Sequence, residues 1–273
     1  MRIGIRTNAP EVLRQLPAHL PPGWTPSPSA VVDQLFSLWV GGSSRGNARR
    51  YNLLYWGAGR RARSLDLDSV FETLESDVRL SVASGARRRT FVHAGVVGWK
   101  GRAIVLPGRT FSGKSTLVAE LLRAGATYYS DELAVLDARG RVHPFPRPLA
   151  IREAGNGAGR HPPEAFGSVS GVGPLPVGLI AFTSYRRGRR WRPVRLTTGR
   201  GLLALVAHTV AVRRRTEASL RALRQTVAPA LVLKGLRGEA GETAGALLRR
   251  LERETGPAAL ASRRKKAQDR GQV

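Results

Sequence analysis

The sequence of 273 residues contains no cysteine. Disulfide bonds, thiolate zinc sites and a cysteine nucleophile are therefore excluded. A long apolar run is also missing, because the longest apolar helical candidate, residues 202–212, is interrupted by His208 and is too short to cross a bilayer. Residues 1–12 lack the apolar segment of a secretory signal. We therefore expect a cytoplasmic protein, with a hydrophobic content of 42% that suffices for a core.

Lysine is scarce in a strongly basic chain. The formal net charge is +26, yet only five of the 45 basic residues are lysines and the rest are arginines. The basic clusters are scattered along the chain, at residues 87–89, 186–190, 213–215 and 263–266. They lack the interleaved aromatic residues that stack on nucleic-acid bases. The composition therefore favours solvated basic surfaces, and we do not expect a nucleic-acid partner.

The run Gly108–Ser115 fits the phosphate-binding (Walker A) pattern GxxxxGK(S/T) without a mismatch. In such a loop, backbone N–H groups surround the phosphates, the lysine reaches the outer phosphates and the last hydroxyl ligates Mg²⁺. An apolar strand pattern precedes the loop and helical spacing follows it, as this motif requires; the alternative is a glycine turn without a ligand. The predicted ATP-binding residues are Gly108, Arg109, Thr110, Phe111, Ser112, Gly113, Lys114, Ser115 and Thr116.

The remaining patterns predict an α/β protein in three segments: an α+β segment at residues 1–85, a core at 86–256 and a disordered basic tail at 257–273. A capping-box sequence, Ser69–Glu72, predicts a helix start in the first segment. In the core, a β-hairpin is expected before the glycine loop, an extended stretch at 128–136, and a mobile loop, which is a candidate lid, at 153–173. Further predicted elements are a strand at 177–182 and helices at 202–212, 217–227 and 239–254.

Phosphoryl transfer also needs carboxylates, and the chain offers two sets of candidates after the loop helix. The first is the pair Asp131 and Glu132, at the end of an extended stretch; a solvated turn is the alternative reading of this pair. The second is Asp137, which follows an apolar run as in motor-type ATPases. Asp137 also begins an Asp-x-x-Gly turn, in which aspartate is favoured for capping its own backbone.

Together, these features resemble the HPr kinase/phosphorylase family, whose catalytic fold is akin to that of phosphoenolpyruvate carboxykinases. The resemblance covers residues 91–148 and is carried by three runs: Val92–Val97 with His93, Gly108–Thr116, and Ser130–Glu132. It implies a P-loop kinase core with helices in the C-terminal third. It also implies roles for five residues: Asp131 as the proton acceptor, Lys114 as the phosphate clamp, Ser115 and Glu132 as Mg²⁺ ligands, and His93 near the reaction centre. Independently of the resemblance, both acids could approach one metal at the end of a strand, so Asp131 is a candidate metal ligand as well.

The chain departs from that family in two respects. Glu132 stands where the family has Asp, and no glycine-rich signature occurs in residues 152–176, which leaves HPr as the acceptor and the reverse phosphorylase reaction in question. The chain looks more like HPr-kinase-related proteins of ribosomal-peptide pathways. The resemblance therefore implies an ATP- and Mg²⁺-dependent kinase acting on a serine of a protein or peptide, and it also implies self-assembly. A P-loop ATPase, or a nucleotide-binding scaffold without transfer, is the alternative.

Arg147 is a further candidate. It lies among Pro144, Pro146 and Pro148, which favour an extended backbone. A guanidinium held in this way would stabilise charge on a transferred phosphoryl group. The alternative is one more surface arginine.

Overall fold

The computed structural model describes residues 1–42, 50–108, 112–152 and 158–255. The chain divides into two units, Met1–Arg87 and Arg88–Val273. Its fold is mixed α/β, with several sheets and five α-helices in the described residues. None of the described helices combines the length and the apolar character that a membrane span needs. The predicted tail at 257–273 lies outside the described residues.

The N-terminal unit is a four-stranded sheet with one helix against it. Its elements are β1 (Ile3–Thr7), β2 (Gln34–Trp39), β3 (Asn52–Trp56), β4 (Gly59–Ser64) and α1 (Leu67–Gly85). The strand order is β1-β2-β3-β4, with β1 and β2 parallel and the other pairs antiparallel. Phe36, Leu54 and Phe71 are fully buried between the sheet and α1.

The start of α1 differs from the prediction. The N-cap is Asp66, whose carboxylate accepts hydrogen bonds from the backbone N–H groups of Asp68 (3.2 Å) and Ser69 (3.1 Å). The predicted cap Ser69 is instead a first-turn residue, and its hydroxyl donates to the same carboxylate. The capping-box pattern was wrong by three residues because aspartate is an equally good cap.

The second unit contains ten strands and four helices within its described residues. The strands are β5 (Thr90–Trp99), β6 (Arg102–Pro107), β7 (Thr127–Ser130), β8 (Leu133–Leu136), β9 (Arg141–His143), β10 (Leu149–Arg152), β11 (Ala158–His161), β12 (Leu175–Tyr185), β13 (Val194–Arg195) and β14 (Leu231–Arg237). The helices are α2 (Lys114–Arg123), α3 (Thr198–Val206), α4 (Thr216–Val227) and α5 (Ala240–Thr255).

Three parallel strands, β6, β12 and β14, form the centre of the main sheet. Side chains alternate along each strand, so neighbouring residues enter opposite layers. On β6, Ile104 packs in the layer of α2 and α5, whereas Val105 packs in the layer of α3 and α4. Helices thus cover both faces of the sheet, which explains why these strands read as continuous apolar runs.

The carboxyl ends of these parallel strands share one edge of the sheet, where open α/β sheets bind their ligands. β5 is antiparallel to β6 and places His93 and Ala94 at this edge, with Ala94 opposite Pro107. β8 is paired to β5 with Leu133 opposite His93, so the turn that precedes β8 lies at the same edge. The glycine loop after β6 and the acidic pair before β8 therefore meet.

Several predicted elements are present with changed bounds. The hairpin before the loop is confirmed as β5 and β6. The stretch at 128–136 is not one strand, since the acidic pair interrupts it between β7 and β8. The described part of the 153–173 segment has regular structure, since it contains β11 and a 3₁₀ turn at Pro163–Phe166. The helix expected at 202–212 is α3, Thr198–Val206. It begins earlier because the Thr197 hydroxyl accepts from the backbone N–H of Arg200 and caps it, and the prediction was wrong for residues 207–212.

Candidate active site

The glycine loop leads directly from β6 into α2. Gly113 is the residue before the helix and has a φ of 77°, a conformation that favours glycine. Lys114 opens the ten-residue helix, and the partial positive charge of its N-terminus adds to the lysine charge. Lys114 and Ser115 are half-buried, and Thr116 is exposed. Arg109, Thr110 and Phe111 lie outside the described residues.

Arg237, at the end of β14, binds the backbone of the glycine loop. Its Nη2 donates to the carbonyl oxygen of Gly113 at 2.8 Å, and its Nη1 donates to that of Gly238 at 2.9 Å. The side chain is almost fully buried, with its guanidinium carbon 5.4 Å from the centre of the Tyr185 ring. Burial lowers the pKa of Arg237. This cation was missed by sequence reasoning, because nothing in the sequence separates it from the many other arginines.

Asp131 lies in the turn between β7 and β8 and is 7% exposed. Within the described chain, its Oδ1 is buried and has no hydrogen-bond partner. Burial raises the pKa of Asp131 to about 6, and the neighbouring Glu132 adds to the rise. A hydrogen bond with the Ser115 hydroxyl and the charges of Lys114 and Arg147 offset only part of it. The solvated-turn reading is therefore wrong for Asp131.

Gly95 allows α2 and the Asp131 carboxylate to lie close to β5. A Cβ atom at this position would lie 2.6 Å from Val118 Cγ2, 3.3 Å from Lys114 Cγ and 3.8 Å from Asp131 Oδ1. The first of these distances is shorter than real contacts allow, so any larger residue would push α2 away from β5. Lys114 and Asp131 thus converge over a single glycine.

Glu132 occupies a different environment from its neighbour. Its carboxylate is 35% exposed and forms an ion pair with Arg147, whose side chain is 15% exposed. A neighbouring side chain fixes the backbone of each partner: Ser130 Oγ accepts from the Glu132 N–H at 3.4 Å, and the Arg147 carbonyl accepts from Tyr128 Oη at 2.7 Å. The structure therefore places Arg147 beside the acidic pair.

His93 lies at the junction of three elements. Its N–H donates to the carbonyl of His208 at 2.8 Å, and its carbonyl accepts from the N–H of Gly108 at 3.2 Å. Its side chain keeps an exposed surface. Partial burial lowers the pKa of His93, Lys114 lowers it further, and Glu132 opposes the change. The predicted histidine therefore stands close to both the lysine and an acid.

Asp137, the alternative metal ligand, is instead a turn residue. Its Oδ1 accepts from the backbone N–H groups of Arg139 (2.9 Å) and Arg141 (3.0 Å), and its Oδ2 accepts from Arg141 Nε (2.9 Å) and contacts His143 Nε2 (3.1 Å). Burial alone would raise the pKa of Asp137, but these hydrogen bonds outweigh burial and hold it at about 2. Both carboxylate oxygens of Asp137 therefore have their partners within its own turn.

The donor set at the loop suits a nucleotide-bound Mg²⁺ ion. The described residues include no group of three or more His, Asp or Glu side chains that could hold a metal by themselves. Mg²⁺ usually takes one or two carboxylates and completes its shell with phosphates and water. Asp131, with its unpartnered oxygen, Glu132 and the Ser115 hydroxyl fit that pattern.

Two surface cavities do not include the residues of this cluster. One of about 590 Å³ is in the N-terminal unit, lined by β1, β2 and β3, and one of about 260 Å³ lies beside β13 and the start of α3. Lys114, Asp131 and Glu132 line neither of them. The case for the candidate site rests on its converging side chains.

Comparisons with known proteins are sparse. No protein-family model and no curated protein matches the chain. Among solved structures, the Hpr(Ser) kinase/phosphatase from Coxiella burnetii aligns with 66% of this chain and 96% of its own, at 16% sequence identity and a TM-score of 0.34. A superposition at this score does not establish a shared fold.

Proposed function

We propose that this chain is an ATP- and Mg²⁺-dependent kinase that transfers the γ-phosphoryl group to a serine or threonine hydroxyl of a protein or peptide. One observation carries the proposal: a buried carboxylate with a free oxygen, Asp131 Oδ1, lies over Gly95 together with the lysine of a phosphate loop. A kinase needs this combination, whereas a nucleotide holder needs only the loop.

In this proposal, Asp131 is the general base. A carboxylate with a pKa of about 6 is mostly ionised at neutral pH and is still basic enough to accept a proton. The acceptor hydroxyl gives its proton to Asp131 as its oxygen attacks the γ-phosphorus, and the bond from that phosphorus to the bridging oxygen of ADP breaks. Lys114 and the N-terminus of α2 stabilise the charge that develops on the phosphoryl oxygens.

The other residues position the reactants. Ser115 and Glu132 would hold Mg²⁺, with Asp131 as a third donor, and the bound ion would neutralise the outer phosphates. Arg147 keeps Glu132 in place through their ion pair, as partners of ligating carboxylates do in metal sites. Arg237 fixes the loop backbone through the Gly113 carbonyl.

The test is a transfer assay with a matched pair of variants. The purified chain is mixed with γ-labelled ATP, Mg²⁺, HPr and serine-containing peptides, and mass spectrometry identifies the product. Asp131→Asn is expected to abolish transfer, while MgATP still binds through Lys114, Ser115 and Glu132. Asp137→Asn removes the carboxylate at the far end of β8 and is expected to keep both.

Two results would overturn the proposal. The first is full transfer by Asp131→Asn, which would exclude Asp131 as the base. The second is tight MgATP binding without transfer to any acceptor, which would favour a nucleotide-binding scaffold.

A further inference from the structure

Five arginines crowd the short connection between β12 and β13. This connection, residues 186–192, is named here the arginine loop; its arginines are Arg186, Arg187, Arg189, Arg190 and Arg192, and all are exposed. None of them forms an ion pair with another described residue. The sequence between Glu164 and Glu217 contains no acidic residue at all. The loop therefore carries a dense positive charge that its own segment does not balance.

The arginine loop adjoins the candidate active site. It begins after Tyr185, at the carboxyl end of β12, and the N–H of Arg186 donates to the carbonyl of Arg237 at 2.8 Å. The guanidinium of Arg237 in turn bonds the Gly113 carbonyl, one residue before Lys114. A Cβ atom on Gly113 would lie 4.0 Å from the Cβ of Tyr185. One buried residue thus separates the arginine loop from the phosphate loop.

The aromatic residue of the arginine loop is turned away from solvent. Trp191 is half-buried and packs against the core layer of α2 and α5. A Cβ atom on Gly235 would lie 3.2 Å from its Cζ3. Trp191 is therefore not available for stacking on a base, which single-stranded nucleic-acid sites require. Tyr185, directly before the loop, is 51% exposed, but one face of its ring lies against the buried guanidinium of Arg237. The exposed guanidinium groups of the loop suit carboxylates, which they bind through paired hydrogen bonds.

We infer that the arginine loop binds an acidic segment of the phosphoryl acceptor, so that the enzyme selects a serine flanked by glutamate or aspartate. This inference rests on the proposed kinase function and names its substrate class. The phosphates of ATP already have Lys114, the glycine loop and the start of α2. The arginine loop extends the positive surface from that point, where the acceptor chain must approach.

The experiment compares two serine peptides of equal length. In one peptide, three glutamates flank the serine on each side; in the other, glutamines replace all of them. Each exposed ion pair contributes roughly a 1.8-fold change in affinity, so four pairs give about tenfold. We expect kcat/KM for the acidic peptide to exceed that for the glutamine peptide about tenfold at low ionic strength, and the difference to shrink with added salt.

Two variants of equal charge test the location. The loop variant carries Arg→Gln at residues 186, 187, 189 and 190. The control variant carries Arg→Gln at four exposed positions outside the loop, residues 139, 224, 249 and 253. The loop variant is expected to lose the preference for the acidic peptide and to keep the KM for ATP, whereas the control variant keeps both.

Binding of the fluorescently labelled peptides, followed by anisotropy, separates the two hypotheses. If neither peptide is phosphorylated but the acidic one binds about tenfold more tightly through the arginine loop, the proposed kinase function fails and the acidic-ligand site stands. Equal affinity for both peptides would overturn the inference. So would a rise in the KM for ATP in the loop variant alone, or tighter binding of a single-stranded oligonucleotide than of the acidic peptide.

Discussion

Replacing Asp131 by asparagine should stabilise the protein at neutral pH while it removes phosphoryl transfer. Burial raises the pKa of Asp131 from 3.8 to about 6. Each pKa unit corresponds to about 1.4 kcal/mol, so the ionised carboxylate costs the folded state about 3 kcal/mol relative to its neutral form. Asparagine resembles that neutral form in shape and never ionises.

The sign of the pH dependence follows from proton uptake. Between pH 4 and pH 6 the folded protein holds a proton on Asp131 that the unfolded chain has lost, so this residue makes the wild type less stable as the pH rises. Below pH 4 Asp131 is protonated in both the folded and the unfolded state, so its burial no longer lowers the stability. The stability advantage of Asp131→Asn should therefore be near zero at pH 4, grow up to pH 6 and stay at about 3 kcal/mol above it.

The assay must report on the unit that contains the site. Urea unfolding is monitored by hydrogen exchange of peptides from β5 and α2. This measurement gives the free energy of unfolding of that unit at pH 4, 5, 6 and 7. A free energy of unfolding that is lower for Asp131→Asn than for the wild type at pH 7 would show that ionised Asp131 does not destabilise the folded state. The same conclusion would follow if the difference in the free energy of unfolding between the two proteins were equal at pH 4 and pH 7.

Further predictions concern the neighbours of this carboxylate. In the wild type, kcat/KM for transfer should fall on the acid side with a midpoint near pH 6, because protonated Asp131 cannot act as the base; a flat profile down to pH 5 would contradict this role. Gly95→Ala should lower kcat at least tenfold with an unchanged circular dichroism spectrum, since the new methyl group displaces Val118 and α2; an unchanged kcat would show that the close approach is unimportant. Arg237→Gln should weaken MgATP binding roughly tenfold by calorimetry, because the Gly113 carbonyl loses a charged donor; wild-type affinity would contradict the role of Arg237 in positioning the loop. Asp137→Asn should leave kcat unchanged and cost about 1 kcal/mol in urea unfolding at pH 7, after allowance for solvent screening, and the difference from wild type should shrink as the pH falls from 4 towards 2, where its carboxylate takes up a proton; a loss of kcat would show that it serves the reaction.

The local chemistry of the site could be predicted because it is written in short stretches of sequence. The glycine loop, Lys114 and the acidic pair each lie within a few residues of a recognisable strand or helix. Strand pairing then decides their distance, and the hairpin that brings β5 beside β6 was itself predictable from its turn. The split between the two acids was not predictable, because the burial of Asp131 depends on the packing of Gly95, which lies on β5 beside the turn but far from it along the chain.

Contacts that depend on long-range topology could not be predicted from the sequence. Arg237 is 124 residues from Gly113 along the chain and meets it only because β14 pairs with β12 in parallel. The arginine loop is one basic cluster among several in the sequence, and only the sheet order places it at the phosphate loop. The resemblance to HPr kinases concerns residues 91–148, and the fold relationship that it implies stays a prediction.

The most direct test of the account is a crystal structure with MgADP and aluminium fluoride, which mimics the phosphoryl group in transfer. The fluoride is expected between Lys114 Nζ and the Asp131 carboxylate, with Mg²⁺ bound to Ser115 and at least one acid of the pair. Nucleotide phosphates seated on the loop with Asp131 out of hydrogen-bond reach of the fluoride would contradict it.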